Sequence, residues 1–132
     1  MIKIPKDVIA AIIKQAYDET PNETCGLLAG EGNKVVKRYA MTNIDHSPEH
    51  FSFDPAEQFR VLRQARAEGL EIVANYHSHP ETPARPSDED IRLAYDPDIV
   101  YIIISLAAEI PVVKAFSIQQ GKVGEVEIKT TK

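Results

Sequence analysis

The sequence predicts one α/β domain, residues 1–132, in which helices pack on both faces of a mixed sheet. Residues 99–106 are apolar almost throughout, which is typical of a strand covered on both faces. Residues 5–19 carry apolar side chains at helical spacing, and a second helical pattern follows Asp54. A chain of 132 residues buries about two-thirds of its unfolded surface without disulfides or a structural metal. We therefore expect an α/β/α layered structure.

The elements are predicted from hydrophobic period and from turn residues. Pro5 suits the first turn of a helix, because proline lacks only the amide hydrogen that this turn leaves unused. The predicted helix covers residues 5–19, with Ile9, Ile12, Ile13 and Ala16 on one face. Predicted strands cover residues 23–29, 34–42, 51–53, 71–79, 99–106, 112–118 and 123–128.

A second helix is predicted between the strands at 51–53 and 71–79. Asp54-Pro55 begins it and Gly69 ends it. Helical spacing favours a buried stripe and an outward polar face. The predicted stripe is Phe59, Leu62 and Ala65, and the outward residues are Glu57, Arg60, Gln64 and Glu68.

The His77-Ser78-His79 stretch is the strongest chemical signal. In a strand, side chains two apart point to one face, so His77 and His79 present two imidazoles together while Ser78 faces away. Residues 80–86 contain three prolines and predict a stiff surface loop. The pattern places two strong metal ligands at the end of a buried strand.

A third ligand is predicted one helical turn beyond Ser87. Ser87 suits the start of a helix, and the carboxylate of Asp90 can then return toward the two imidazoles. Three protein ligands leave the fourth position of a tetrahedral zinc site to water, as in catalytic sites. Ser87 and Asp90 also form a helix-capping signal that needs no metal, and the two roles are compatible.

Three segments together resemble the JAMM motif of the MPN-plus (JAB) metalloprotease family. They are residues 23–28 with the sequence ETCGLL, residues 77–80 with the sequence HSHP, and Pro86-Ser87 with Asp90. The resemblance implies one Zn²⁺ per chain, held by His77, His79 and Asp90. It also implies Glu23 as the general base, Ser87 as an oxyanion donor, and a fold related to that of cytidine deaminases.

The resemblance also implies a class of substrate and partner. Members of this family act on ubiquitin-like proteins with a diglycine tail, and the short chain resembles stand-alone prokaryotic members that process sulfur-carrier proteins. Residues 42–54 are expected to supply a strand edge for such a tail. The short segment 107–111 leaves little room for the insertions of linkage-specific members. Whether the scissile bond is a linear peptide or an isopeptide stays open.

Other classes of function fit the sequence less well. A non-catalytic MPN scaffold that binds partners usually lacks the ligand set that is complete here. An iron oxygenase also uses two histidines and a carboxylate, but the usual His-x-Asp order is absent. A nucleobase deaminase needs two or three cysteine ligands, and Cys25 is the only cysteine.

The composition limits which binding partners and which cell compartment we expect. A net charge of −5 argues against nucleic acid or an anionic membrane as the main partner. Arg60, Arg63 and Arg66 are interpreted as a solvated helix face. Cys25 is assigned to packing, and the absence of disulfides and of a signal peptide predicts a cytoplasmic protein. The sequence leaves a monomer or a homodimer open.

Four polar residues near the predicted cleft are interpreted as surface residues. They lie in or beside an irregular loop, which holds metal ligands poorly unless a scaffold fixes it. These residues are Asp45, His46, His50 and Asp54.

Overall fold

The computed structural model describes all 132 residues, and an eight-stranded sheet is its centre. The spatial order of the strands is β7-β6-β5-β4-β2-β3-β1-β8. The bounds are β1 Ile2–Pro5, β2 Cys25–Glu31, β3 Lys34–Met41, β4 Glu71–His79, β5 Val100–Ser105, β6 Val112–Gln119, β7 Lys122–Val126 and β8 Ile128–Thr131.

Three helices connect the strands. They are α1 Lys6–Asp18, α2 Pro55–Ala67 and α3 Asp88–Arg92. Asp54 caps α2, since its side chain accepts a hydrogen bond from the amide of Ala56, and a proline follows in the first turn. Pro5 is the last residue of β1 and the residue before α1, so the helix begins one position later than predicted.

Strand β4 lies in the middle of the sheet and pairs with two different kinds of neighbour. It is antiparallel to β2, with His77 opposite Cys25, and parallel to β5, with His77 beside Ile103. The pairs of β1 with β3 and with β8 are also parallel, and the remaining pairs are antiparallel. The predicted mixed sheet is therefore confirmed.

Apolar side chains cover both faces of the sheet. One cluster joins Ile12 of α1 to Ile102 and Ile104 of β5. On the opposite face, Val61 and Ala65 of α2 pack with Leu27, and a third cluster contains Ile103. Strand β5, which was predicted to be covered on both faces, therefore has apolar side chains packed on each face. The predicted α/β/α layers are confirmed.

Two strand predictions need correction at the C-terminal end and at residues 51–53. The predicted strand 123–128 is two strands, because the chain passes from β7 at one edge of the sheet to β8 at the other. Residues 51–53 form only a single bridge, between Asn43 and Phe53. Segment 42–54 is therefore a loop closed by that bridge and not the expected strand edge.

The predicted buried stripe of α2 is wrong for two of its three residues. Phe59 is 63% exposed and Leu62 is 42% exposed, whereas Ala65 is buried as predicted. Val61 and Ala65, one turn apart, face the sheet instead. Small side chains let the helix approach the strands closely, so the larger apolar residues lie at the margin.

Gly26 leaves space for the large side chain of Tyr76 between β2 and α1. A Cβ atom at Gly26 would overlap the ring of Tyr76, which is fully buried. The Tyr76 hydroxyl donates a hydrogen bond to Gln15 Oε1 at 2.5 Å, and Gln15 Nε2 donates to the carbonyl of Cys25 at 3.1 Å. These contacts attach α1 to the first residue of β2.

None of the three helices has the length and apolar character needed to cross a membrane.

Candidate metal centre

The two histidines of β4 present their rings on one face of the sheet. The Nε2 atoms of His77 and His79 lie 3.1 Å apart, and both side chains are buried. Ser78 points to the opposite side, where its hydroxyl accepts a hydrogen bond from the amide of Thr24 at 2.7 Å. The alternation predicted from the His-x-His pattern is confirmed.

Asp90 reaches both histidines with a single oxygen atom. Its Oδ2 lies 3.2 Å from Nε2 of His77 and 3.2 Å from Nε2 of His79. The same Oδ2 accepts a hydrogen bond from the amide of Ser87 at 2.9 Å, while Ser87 Oγ accepts one from the amide of Asp90 at 3.0 Å. This capping box fixes the carboxylate and leaves it facing the histidines.

A main-chain carbonyl fixes the tautomer of His79. Its Nδ1 lies 2.9 Å from the carbonyl oxygen of Pro83, and because a carbonyl can only accept, Nδ1 carries the hydrogen. Nε2, which faces Asp90 and His77, is then the ring nitrogen left to bind a metal ion. The proline loop that was predicted to be stiff thus supplies the contact that orients one imidazole.

The electrostatics of the cluster favour an ionised carboxylate. Burial works against the charged form of Asp90, but hydrogen bonds from His77 and His79 outweigh it and hold the pKa of Asp90 well below its usual range. Burial lowers the pKa of His79, while Asp90 and the Pro83 carbonyl raise it by more, so its net pKa is raised. The three side chains therefore interact strongly in the metal-free protein.

Glu23 lies directly before β2 and is buried. Its amide donates to the carbonyl of Ser47 at 2.8 Å, and its carbonyl accepts from Asn43 Nδ2 at 3.1 Å. The pKa of Glu23 is raised to about 8, chiefly by burial; the charge of His79 lowers it, and the charges of Asp90 and Glu89 contribute to the increase. Its Oε1 is buried without a hydrogen-bond partner.

The residues present fit a divalent metal ion. One ligand atom from each of His77, His79 and Asp90 lies within 4.8 Å of the others. Two imidazole nitrogens and one carboxylate oxygen form the donor set of a catalytic zinc site with a free position. Oε1 of Glu23 has no hydrogen-bond partner in the protein, as expected for a carboxylate that acts on a molecule bound at that free position.

Two residues that the sequence pattern did not single out complete the surroundings of His77. The ring of Phe51 stacks on the His77 ring with centroids 4.8 Å apart. Asn43 is buried and holds the loop that carries Phe51, since Nδ2 donates to the carbonyls of Glu23 and His50. Its Oδ1 accepts from the amides of Asp45 and Ser52. The polar and aromatic composition of residues 43–53 was the only sequence signal for these roles.

The loop histidines are exposed, as predicted, and Asp45 bonds to His50 Nδ1 and Ser52 Oγ. His46, with Glu19, Glu23 and Asn43, lines a cavity of about 280 Å³, and none of the three candidate metal ligands lines it. Cys25 is fully buried, and burial raises the pKa of its thiol to about 12, which agrees with its assignment to packing.

Comparison with known proteins identifies the family. Residues 5–119 match the family model described as prokaryotic homologs of the JAB domain. A CysO-cysteine peptidase from Mycobacterium tuberculosis is 37% identical over 107 residues, which cover 80% of this chain and 73% of the relative. A desampylase from Pyrococcus furiosus is 32% identical over 126 residues, which cover 95% of this chain and 87% of the relative.

Solved structures agree with the fold. A protein from Desulfitobacterium hafniense superposes with a TM-score of 0.91 at 45% identity, covering 100% of this chain and 94% of that chain. A JAB1/MPN domain protein from Archaeoglobus fulgidus superposes with a TM-score of 0.67 at 22% identity, covering 100% and 98%. The JAB/MPN fold and the hydrolase class that the JAMM resemblance implies are confirmed. The chain belongs to the family of prokaryotic homologs of the JAB domain.

Proposed function

We propose that this chain is a zinc-dependent peptidase that hydrolyses the amide bond after the diglycine tail of a ubiquitin-like protein of the sulfur-carrier type. The observation that carries the proposal is the convergence of His77, His79 and Asp90 beside the buried, unpartnered carboxyl group of Glu23. The names of the relatives, CysO-cysteine peptidase and desampylase, support the substrate class.

His77, His79 and Asp90 would hold the ion. A bound zinc ion supplies a water molecule with a pKa near 7 and polarises the substrate carbonyl. Asp90 contributes a negative charge that its hydrogen bonds keep ionised, and His79 contributes a ring whose tautomer Pro83 fixes. These residues therefore bring a preorganised ligand set to the reaction.

Glu23 is the proposed general base. In the metal-free protein its pKa of about 8 lies near neutral pH, which suits a group that must take up a proton and release it within one turnover. Oε1 has no competing hydrogen-bond partner, so it is free to take a proton from the attacking water. It then delivers that proton to the nitrogen of the leaving amine.

Ser87 is the proposed oxyanion donor. Its Oγ accepts a hydrogen bond from the amide of Asp90, so the hydroxyl hydrogen remains free to donate. The residue is exposed at the start of α3, next to the carboxylate that faces both histidines. A donor in that place stabilises the negative charge that develops on the carbonyl oxygen during attack.

The cavity beside Glu23 is the proposed site for the leaving-group side of the substrate. Glu23 lines it and must lie against the departing nitrogen in order to protonate it. Glu19 and His46 also line the cavity, so the leaving group meets polar side chains there. This arrangement accepts a residue that continues beyond the scissile bond.

The experiment is cleavage of a ubiquitin-fold protein whose diglycine tail carries either a linear extension or an isopeptide-linked lysine peptide. We expect mass spectrometry to show a product that ends in the second glycine, and a chelator to abolish its formation. Glu23→Gln should remove most of the activity and retain zinc, whereas the control Glu31→Gln, at the exposed end of β2, should behave as wild type. Failure of the zinc-loaded protein to cleave either substrate would contradict the proposed substrate class.

A further inference from the structure

Three side-chain atoms of the protein are buried without a hydrogen-bond partner. They are Oε1 of Glu23, Oδ1 of Asn75 and Nδ1 of His77. A buried polar atom without a partner destabilises the folded protein, so such atoms are rare unless they serve a ligand or a function. The proposed function uses Glu23 but gives no role to Asn75.

Asn75 and His77 are successive side chains on the same face of β4. In the sheet, Asn75 is flanked by Leu27 and Tyr101, and His77 is flanked by Cys25 and Ile103. Side chains two apart in a strand point the same way, so the side chain of Asn75 projects from the sheet face that carries the imidazoles. One unpaired acceptor and one unpaired ring nitrogen thus lie on the same face of β4, two residues apart.

The two histidines differ in how their second ring nitrogen is held. His79 Nδ1 donates to the carbonyl of Pro83, whereas His77 Nδ1 has no partner. When Nε2 of a histidine binds a metal ion, Nδ1 must carry the hydrogen and needs an acceptor. The oxygen of Asn75 is a buried acceptor on the same strand face without a partner of its own.

We propose that Asn75 is a positioning residue for His77, whose Nδ1–H donates to Asn75 Oδ1 in the metal-loaded protein. The terminal torsion of an asparagine side chain is broad, so a rotation of the amide brings its oxygen toward the ring at little cost. The bond fixes the tautomer of His77 as Pro83 fixes that of His79. The inference rests on the proposed function in one respect, namely that His77 is a metal ligand.

The first test compares zinc affinity and metal-free stability in two variants. Asn75→Leu removes the acceptor with little change in size, and we expect its zinc dissociation constant to rise about 10- to 100-fold. Its metal-free form should unfold at an equal or higher urea concentration, because an unpaired buried polar group has been removed. Asn75→Asp keeps an acceptor and should bind zinc as tightly as wild type or more tightly.

The opposite directions of the two effects separate positioning from simple stabilisation. A merely structural Asn75 would lower stability and zinc affinity together in Asn75→Leu and would not be rescued by Asn75→Asp. Asn33→Ala, in the exposed turn between β2 and β3, is the control and should change neither quantity.

The second test is the ¹⁵N and ¹H NMR signal of the His77 ring in the zinc-loaded protein. We expect a slowly exchanging Nδ1–H in wild type and in Asn75→Asp, and its loss in Asn75→Leu. Wild-type zinc affinity together with an unchanged Nδ1–H signal in Asn75→Leu would overturn the inference. In that case, loss of zinc in His77→Ala would leave the proposed function standing, whereas retention of zinc in His77→Ala would overturn both.

Discussion

The hydroxyl of Ser78 accepts a hydrogen bond from the amide of Thr24 at 2.7 Å, and the amide of Ser78 donates to the carbonyl of Thr24 at 3.1 Å. This pair joins the residue between the two histidines to the residue after Glu23. Ser78 therefore has a structural part in the HSH segment, because it anchors the chain that carries the proposed base against the strand that carries the proposed ligands.

Ser78→Ala should destabilise the protein and misplace the proposed base. The substitution leaves the buried amide of Thr24 without its acceptor, which costs about 1 to 3 kcal/mol of unfolding free energy in urea titrations. Because both histidines remain, we expect zinc content to stay at the wild-type level while kcat falls. Ser117→Ala, on β6, is the matched control and should lose little, since its hydroxyl makes only a 3.5 Å contact. Wild-type stability in Ser78→Ala would contradict this role.

Glu23→Gln should stabilise the metal-free protein increasingly as the pH rises. The folded-state pKa of Glu23 is raised from 4.5 to about 8 by burial, so the folded protein holds this proton more tightly than the unfolded chain does. The contribution of Glu23 to stability is therefore fully present below pH 4.5, falls as the pH rises toward 8, and levels off above it. Glu23→Gln has no ionisable group at this position, so it does not lose this stability as the pH rises.

Urea unfolding of the chelated proteins at pH 5, 7 and 9 measures the effect. A pKa shift is worth about 1.4 kcal/mol per unit, so the gain in Glu23→Gln should reach a few kcal/mol at pH 9 and be small at pH 5. Glu31→Gln, at the exposed end of the same strand, should show no such trend. An equal gain at all three pH values would argue against a raised pKa at Glu23.

Ser87→Ala should separate capping from catalysis. The loss of the cap should cost about 0.5 to 2 kcal/mol and speed amide exchange at Asp90, whose amide loses its acceptor. Removal of the proposed oxyanion donor should lower kcat about 100- to 1000-fold. Ser87→Thr retains a hydroxyl and should restore both properties. A threonine variant with a normal cap and the low kcat of Ser87→Ala would count against the catalytic role.

Gly26→Ala should be among the most destabilising small substitutions in the sheet. The added Cβ would overlap the ring of Tyr76, which is fully buried and hydrogen-bonded to Gln15, so neither partner can move freely. Overpacking of this kind costs about 1 to 3 kcal/mol, and thermal unfolding measures it. Gly124→Ala meets only Ser117 Oγ at 3.1 Å and should cost less. Equal melting temperatures for the two variants would refute the overlap.

The local features of the site could be predicted from the sequence. Strand alternation places His77 and His79 together, and the serine at position 87 with the acid at 90 predicts the capping box that the structure contains. Both depend on residues close in the chain. The ligating, basic and oxyanion roles of these residues stay predictions until metal and activity are measured.

Features that depend on distant pairing were missed. Strand β1 has four residues and is held between β3 and β8, so its partner β8 comes from the other end of the chain. The stacking of Phe51 on His77 likewise joins a loop to a strand across the fold. The exposed Phe59 and Leu62 show that hydrophobicity alone does not fix which face of α2 meets the sheet.

The most direct test of the metal centre is elemental analysis of the purified protein with His77→Ala beside it. We predict close to one zinc ion per wild-type chain and little or none in the variant, whose donor set lacks one imidazole. A wild-type protein that contains no zinc and cannot be loaded with it, or a variant that retains full zinc content, would contradict the account.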